Sequence, residues 1–74
     1  MSEITFEITE RIGVIRKTQD GWTRELNRVC WNGGAVKWDI REWDEDHTRM
    51  SRGLTLTDEE MEGLVRLYME RGAK

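Results

Sequence analysis

Apolar residues near the start of the chain occur at alternate positions. They are Ile4, Phe6, Ile8, Ile12 and Val14. A period of two is typical of a β-strand with one apolar face. We therefore predict a first strand here, with Gly13 as a bulge or bend.

Two turn signals divide the following residues into two further strands. Residues 18–21 (Thr-Gln-Asp-Gly) predict a turn, and residues 32–34 (Asn-Gly-Gly) predict a tight hairpin, because Asn and Gly tolerate positive φ. The β-branched and aromatic residues around them predict strands at Trp22–Trp31 and Val36–Trp43. Neither face of the Trp22–Trp31 strand is purely apolar, so we expect a bulge that switches its parity partway along.

The third strand separates its side chains most clearly, because alternate residues of a strand point to the same face. One face receives Val36, Trp38 and Ile40, and the other receives Lys37, Asp39, Arg41 and Trp43. We expect Trp38 in the core and Trp43 exposed beside the two cations.

The remainder of the chain predicts a loop, a short strand and a helix. Residues after Trp43 are polar and aperiodic, and Gly53–Leu56 reads as a short strand. Thr57 and Glu60 form a capping box that begins a helix, and Gly72 is expected to end it. One apolar stripe follows at helical spacing, made of Met61, Leu64, Val65 and Tyr68.

These elements predict a single α+β domain over residues 1–74, with four strands followed by one helix (β-β-β-β-α). One helix covers only one face of a sheet, so the other face must meet solvent, a second subunit or a ligand. We place Trp31, Lys37, Arg41 and Trp43 on that uncovered face.

The size of the chain favours a partner subunit. A domain of 74 residues with 36% hydrophobic content buries only about 60% of its unfolded surface, so we expect a homodimer. The single cysteine, Cys30, forms no internal disulfide, and neither a secretion signal nor an apolar run of about 20 residues is apparent. We expect a cytoplasmic protein.

Charge is segregated along the chain. The net charge is −3, yet residues 11–41 contain seven basic and three acidic residues. Residues 1–10 contribute −3 and residues 42–74 contribute −4. Because salt screens charges beyond about 8 Å, a ligand near residues 11–41 responds to the local positive charge.

All four tryptophans lie in this positive segment, between Trp22 and Trp43. Arg24, Arg28, Lys37 and Arg41 are interleaved with them. Flat rings among cations suit a ligand that is both flat and anionic, such as the unstacked bases and phosphates of a single-stranded nucleic acid.

Enzymatic function has little support in the sequence. The only histidine follows three acidic residues at 44–46, which suggests a metal site on composition alone. Four adjacent residues do not converge readily on one ion, however, and neither a catalytic arrangement nor a phosphate-binding glycine loop is present. We predict no catalytic residues, no metal and no cofactor.

Three segments, GWTRELNRVCWNGG, VKWDIREW and MSRGLTLTDEEMEGL, resemble the transcriptional positive cofactor 4 family, in particular its bacterial YdbC-like branch. The resemblance runs from Phe6 to the helix. It implies a curved four-stranded antiparallel sheet with a C-terminal helix, dimerisation partly through that helix, and binding of single-stranded DNA without strong sequence preference.

The resemblance also implies roles for individual residues. The resemblance implies that Trp31 and Trp43 stack on bases. Val29 occupies a position where some members of the family have a basic residue. Cationic contacts fall to Arg24, Lys37 and Arg41, with Arg16, Lys17 and Trp22 as further candidates. The dimer interface includes Met61, Leu64, Val65 and Tyr68.

Two alternatives remain open at this level. The same surface suits single-stranded RNA, because stacking does not distinguish the 2′-hydroxyl. It also suits a protein partner, for which exposed Trp and Arg would serve as interface anchors. The sequence leaves open a role in transcription regulation or in DNA replication and repair; with either, we expect association with the bacterial nucleoid.

Overall fold

A computed structural model describes residues 4–73. Four strands, β1 (Phe6–Gln19), β2 (Trp22–Trp31), β3 (Val36–Asp44) and β4 (Leu54–Leu56), precede one helix, α1 (Asp58–Glu70). A short 3-10 turn (Arg71–Ala73) follows the helix. The strands form one antiparallel sheet in the order β1-β2-β3-β4, which confirms the predicted order of four strands and a helix.

The two predicted turns connect the first three strands. Gly21 has φ 76° between β1 and β2, while Asn32 and Gly33 have φ 51° and 73° between β2 and β3. These positive values explain the use of Asn and Gly at the reversals. Asn32 also ties the hairpin to the start of the chain, because its Oδ1 accepts from the backbone N–H of Thr5 at 2.9 Å.

Bulges occur in β1 but not in β2, so the prediction of a bulge in β2 was wrong. The pairing of β2 with β3 runs without a register shift from Trp22↔Asp44 to Cys30↔Val36. In β1, by contrast, the 14 residues pair with the 10 residues of β2 through four register shifts, one of them beside Gly13. Each extra residue increases the local twist and bend of β1. The mixed polarity of β2 reflects buried polar groups rather than a change of parity.

Strand pairing defines two faces of the sheet. The Trp31 face carries Val29, Trp31, Lys37, Arg41 and Trp43. Val29 pairs with Lys37 and Phe6 pairs with Trp31, so these residues share a face, and alternation along β3 adds Arg41 and Trp43 to it. The Trp38 face carries the alternate residues Leu26, Arg28, Trp38, Ile40 and Leu56.

The core lies on the Trp31 face, which corrects the predicted locations of two tryptophans. Trp43 and Val29 are fully buried, at 0% exposure, whereas Trp38 is only half-buried. Trp43 was expected at the surface, but the ring of Phe6 packs 5.2 Å from it and the ring of His47 stacks at 5.6 Å. The bent β1 and the loop after β3 therefore cover the Trp31 face, which parity alone does not predict.

Hydrogen bonds attach the first turn of the helix to the Trp38 face. The capping box is confirmed, since Thr57 accepts from the Glu60 N–H and Glu60 accepts from the Thr57 N–H. Asp58 then accepts hydrogen bonds from Trp38 Nε1 at 2.8 Å and Arg28 Nη1 at 3.1 Å. No residue of α1 is buried, and α1 is too short and too polar to cross a membrane.

Candidate nucleic-acid interface

An open groove of about 430 Å³ lies at one end of the Trp31 face. We call it the Trp31 groove. It is lined by Ile4, Trp31, Asn32, Lys37, Arg41 and Thr55, among others. The end of β2 and the start of β3 bring the ring and the two cations together. Three of the predicted site residues, Trp31, Lys37 and Arg41, therefore share one groove.

Arg41 is engaged within the chain, in contact with Trp31. Its Nε and Nη2 donate to the two carboxylate oxygens of Asp39, at 2.6 and 2.8 Å. Its Cζ lies 4.5 Å from the centroid of the Trp31 ring, which is cation–π geometry. The guanidinium thus links a buried carboxylate to the edge of the groove.

Lys37 is the freely displayed cation of the groove. Its side chain is exposed, and none of the ion pairs formed within residues 4–73 involves it. An exposed ammonium on a flexible stem is suited to contact a phosphate as a point charge. Lys37 and Trp31 together supply a cation and a flat ring at one site.

A second groove of about 350 Å³ lies at the opposite end of β2. Its lining includes Lys17, Trp22, Thr23, Glu25, Asp44 and His47. Trp22 and Trp31 are the two ends of β2, which at about 3.3 Å per residue places them about 30 Å apart. We call this second cleft the Trp22 groove. Its rim is more acidic than that of the Trp31 groove.

At the Trp22 groove, the loop after β3 is fixed to the sheet by a buried carboxylate. Glu25 is almost completely buried and lies 3.0 Å from His47 Nε2. Burial acts to raise the pKa of Glu25, but hydrogen bonds from Thr23, His47 and Asn27 outweigh it, so the pKa is lowered. Glu25 is therefore an anionic support for the loop that covers Trp43.

Arg16 and Arg24 lie on the Trp38 face, away from the Trp31 groove. They are cross-strand partners in the pairing of β1 with β2. Arg24 also forms a salt bridge with Glu42 at 2.8 Å, and this contact, helped by a hydrogen bond from Thr18, lowers the pKa of Glu42. The prediction that Arg24 shares a surface with Lys37 and Arg41 was wrong, because the strand register puts it on the opposite face.

The acidic run before His47 does not gather around a single point. Asp44 accepts hydrogen bonds from the backbone of Thr48 and Arg49, and the bond from Arg49 contributes most to lowering its pKa. His47 turns instead to Glu25 and to the ring of Trp43. Both residues hold the loop in shape.

Sequence reasoning missed some contributors to the site. Asp39 was placed on the correct face, but its pairing with Arg41 was not predicted, although opposite charges two residues apart on a strand share a face. Thr55 reaches the Trp31 groove through its pairing with Asp39. That contact joins residues 16 positions apart in the sequence, so local patterns carry no signal for it.

Comparisons with known proteins agree with this geometry. Residues 18–67, more than half of the chain, match the model of the family described as Transcriptional Coactivator p15 (PC4). The chain is also 39% identical over 59 residues to an uncharacterised protein of Treponema pallidum (strain Nichols), an alignment that covers 80% of this chain and 69% of that protein. The matched family is non-enzymatic, binds single-stranded DNA, forms dimers and is connected with transcription. The chain therefore belongs to the transcriptional coactivator p15 (PC4) family.

Proposed function

We propose that this protein binds single-stranded DNA across the Trp31 face, with little sequence preference. The Trp31 groove carries the proposal, since it joins an aromatic ring to an exposed cation in one open cleft. A base stacks on Trp31 and the adjoining phosphate meets Lys37. Stacking is tolerant of sequence because every base presents a flat face.

The Trp22 groove extends the proposed path along the sheet. Lys17 supplies a second cation there. Trp22 lines the groove from the end of β2, about 30 Å from Trp31, although its strand parity is that of Arg24 and the Trp38 face. A strand of DNA that follows β2 passes from the Trp31 groove to the Trp22 groove, where His47 and Glu25 hold the loop that forms part of the lining. Trp43 supports this surface from below and, being fully buried, is not part of the contact. Arg16 and Arg24 fall outside the path because they lie on the other face.

We infer a homodimer formed through α1. The apolar side chains of the helix are largely exposed, from 48% for Leu64 to 66% for Met69. Val65 and Tyr68 lie in the same stripe, and Met61 is half-buried at its start. A contiguous apolar stripe of this kind is typical of a protein interface.

The biological setting is a bacterial cytoplasm, with the protein associated with the nucleoid. Within the coactivator family, the segments quoted above favour the YdbC-like branch. Binding without strong sequence preference suits regulation of transcription at opened DNA, and equally suits replication or repair, where the same single strands are exposed.

Quenching of tryptophan fluorescence by oligo-dT tests the proposal. We expect quenching at low salt, a weaker response to duplex DNA of equal length, and loss of most of the affinity in Trp31→Ala. Unchanged fluorescence and unchanged anisotropy of a labelled oligo-dT at low salt would contradict single-strand binding.

A pair of charge-neutralising variants locates the surface. Lys37→Gln is expected to weaken binding and its dependence on salt, whereas Arg24→Gln, on the other face, is expected to bind as the wild type does. Comparison of oligo-dT with oligo-U of equal length separates DNA from RNA. A partner protein retained after nuclease treatment, with no response to either oligonucleotide, would favour a protein-interaction module.

A further inference from the structure

Arg41 lines the Trp31 groove, but its hydrogen-bonding groups are already occupied within the chain. Two N–H groups bind both oxygens of Asp39. Nη1 faces the carbonyl oxygen of Ser51 at 3.4 Å and the sulfur of Met50 at 3.6 Å. A guanidinium has five N–H donors. Little of its donor capacity therefore remains for a phosphate.

Asp39, the partner of Arg41, is a buried carboxylate whose charge is neutralised by the guanidinium. Asp39 is fully buried, and only 13% of the Arg41 side chain is exposed. An unpaired buried carboxylate is costly, and removing one partner of such a pair is strongly destabilising. If the guanidinium moved onto a phosphate, Asp39 would be left in that state. Binding of DNA therefore favours a contact that leaves the Asp39–Arg41 pair intact.

The guanidinium of Arg41 lies over the ring of Trp31. Its Cζ is 4.5 Å from the ring centroid, while Phe6 lies 5.7 Å away with its ring tilted. Gly53 makes room for this arrangement, since a Cβ at position 53 would collide with the Cβ of Arg41. The ring is thus held from two directions and still lines the open groove.

From these contacts we propose that Arg41 is a positioning residue. Locked to Asp39, it fixes the ring of Trp31 for stacking on a base, and it leaves the phosphate contact in the Trp31 groove to Lys37. This inference rests on the proposed single-stranded DNA binding. It assigns positioning of the stacking ring to Arg41 and contact with the phosphate to Lys37. A preorganised ring loses less freedom when a base stacks on it.

The two roles differ in their salt dependence. Each phosphate neutralised on a single strand contributes about 0.7 to the slope of log affinity against log salt concentration. Removing a phosphate contact lowers that slope, whereas loosening a stacking ring lowers the affinity at every salt concentration. Lys37 and Arg41 line the same groove, so they form a matched pair for this measurement.

Anisotropy titrations of labelled oligo-dT over a salt series provide the test. The double variant Asp39→Asn/Arg41→Gln removes both charges, so no buried charge is left unpaired. We expect its affinity to fall at least about fivefold, the lower end of what losing one stacked base costs, with an unchanged slope. Lys37→Gln is expected to reduce the slope by about 0.7. In a Trp31→Ala background, the double variant should cause no further loss.

Arg41→Lys provides a second test that retains the positive charge, with circular dichroism to verify folding. We expect an affinity loss close to that of the double variant, because an ammonium neither binds a carboxylate bidentately nor stacks flat on a ring. A slope reduced by about 0.7 in the double variant, or wild-type affinity in Arg41→Lys, overturns the positioning role while single-strand binding stands. If the wild-type protein does not bind oligo-dT, the proposed function fails and this inference fails with it.

Discussion

The two faces of this sheet are covered by different parts of the chain. Within residues 4–73 no helix lies on the Trp31 face, yet this face contains the fully buried Val29 and Trp43 together with buried polar residues. The Trp38 face meets the helix, yet Leu54 and most of the helical stripe stay exposed. A bent strand and a pinned loop cover a face more completely than a helix attached by its first turn. The self-covered face is suited to a rigid ligand platform, and the open face to a second subunit.

Removal of a tryptophan from each face tests this contrast most severely. Trp43→Ala should lower the free energy of unfolding by about 3–5 kcal/mol, the usual cost of deleting a buried aromatic ring. Trp38→Ala should cost less, because that ring is half-buried; the substitution removes its hydrogen bond to Asp58 and its contact with the Arg28 guanidinium. Urea unfolding of both variants measures the difference. An equal or larger loss for Trp38→Ala would reverse the assignment of the core.

A charge placed on the helix tests the open face. Leu64→Glu should convert a dimer to a monomer, because it buries an unpaired charge in the proposed interface. Arg66→Gln changes the net charge by the same amount near the opposite side of the helix, and it should leave the dimer intact. Light scattering reports the mass of each variant. A wild-type protein that is monomeric at high concentration would contradict the inferred dimer.

Acid should destabilise the Trp31 face more than the Trp38 face. We expect this effect on stability to be smaller than the effects of the tryptophan and Leu64 substitutions. The pKa values of Glu25 and Glu42 are both lowered by folding. Each carboxylate therefore stabilises the fold above its unfolded pKa of about 4.3, and that contribution is lost as the pH falls through the lower, folded value.

Melting curves against pH measure this loss. We expect the melting temperature to fall below about pH 4, and Glu25→Gln should flatten that fall more than Glu42→Gln, since three side chains form hydrogen bonds with Glu25 and two with Glu42. A steeper acid response in Glu25→Gln than in the wild type would contradict the role of the ionised carboxylate.

Local signals in the sequence were sufficient for the elements and for part of the site. Turn signals with β-branched and aromatic residues located β2 and β3, Asn32 and Gly33 marked the hairpin, and Thr57 with Glu60 marked the helix start. Alternation within β3 placed Lys37 and Arg41 on one face. Each of these features depends on neighbouring residues alone.

The remaining features depend on contacts between distant residues. Alternation sorts side chains into two faces without indicating which face becomes covered, so Trp43 and Trp38 were assigned in reverse. Coverage of the Trp31 face requires the bend of β1 and the contact of His47 with Glu25, 22 residues away. Arg24 lies on the Trp38 face because β2 has no bulge. The mixed polarity of β2 had suggested a bulge, so the sequence did not indicate this face.

The four indole N–H groups offer the most direct test of the binding face, since each tryptophan gives one side-chain signal in a nitrogen–proton correlation spectrum. On titration with oligo-dT, we expect the largest shift for Trp31 and a smaller one for Trp22. The signal of Trp38, bound to Asp58 on the other face, should stay in place. A large shift of Trp38 with Trp31 unmoved would show that the DNA binds the opposite face and would contradict binding across the Trp31 face.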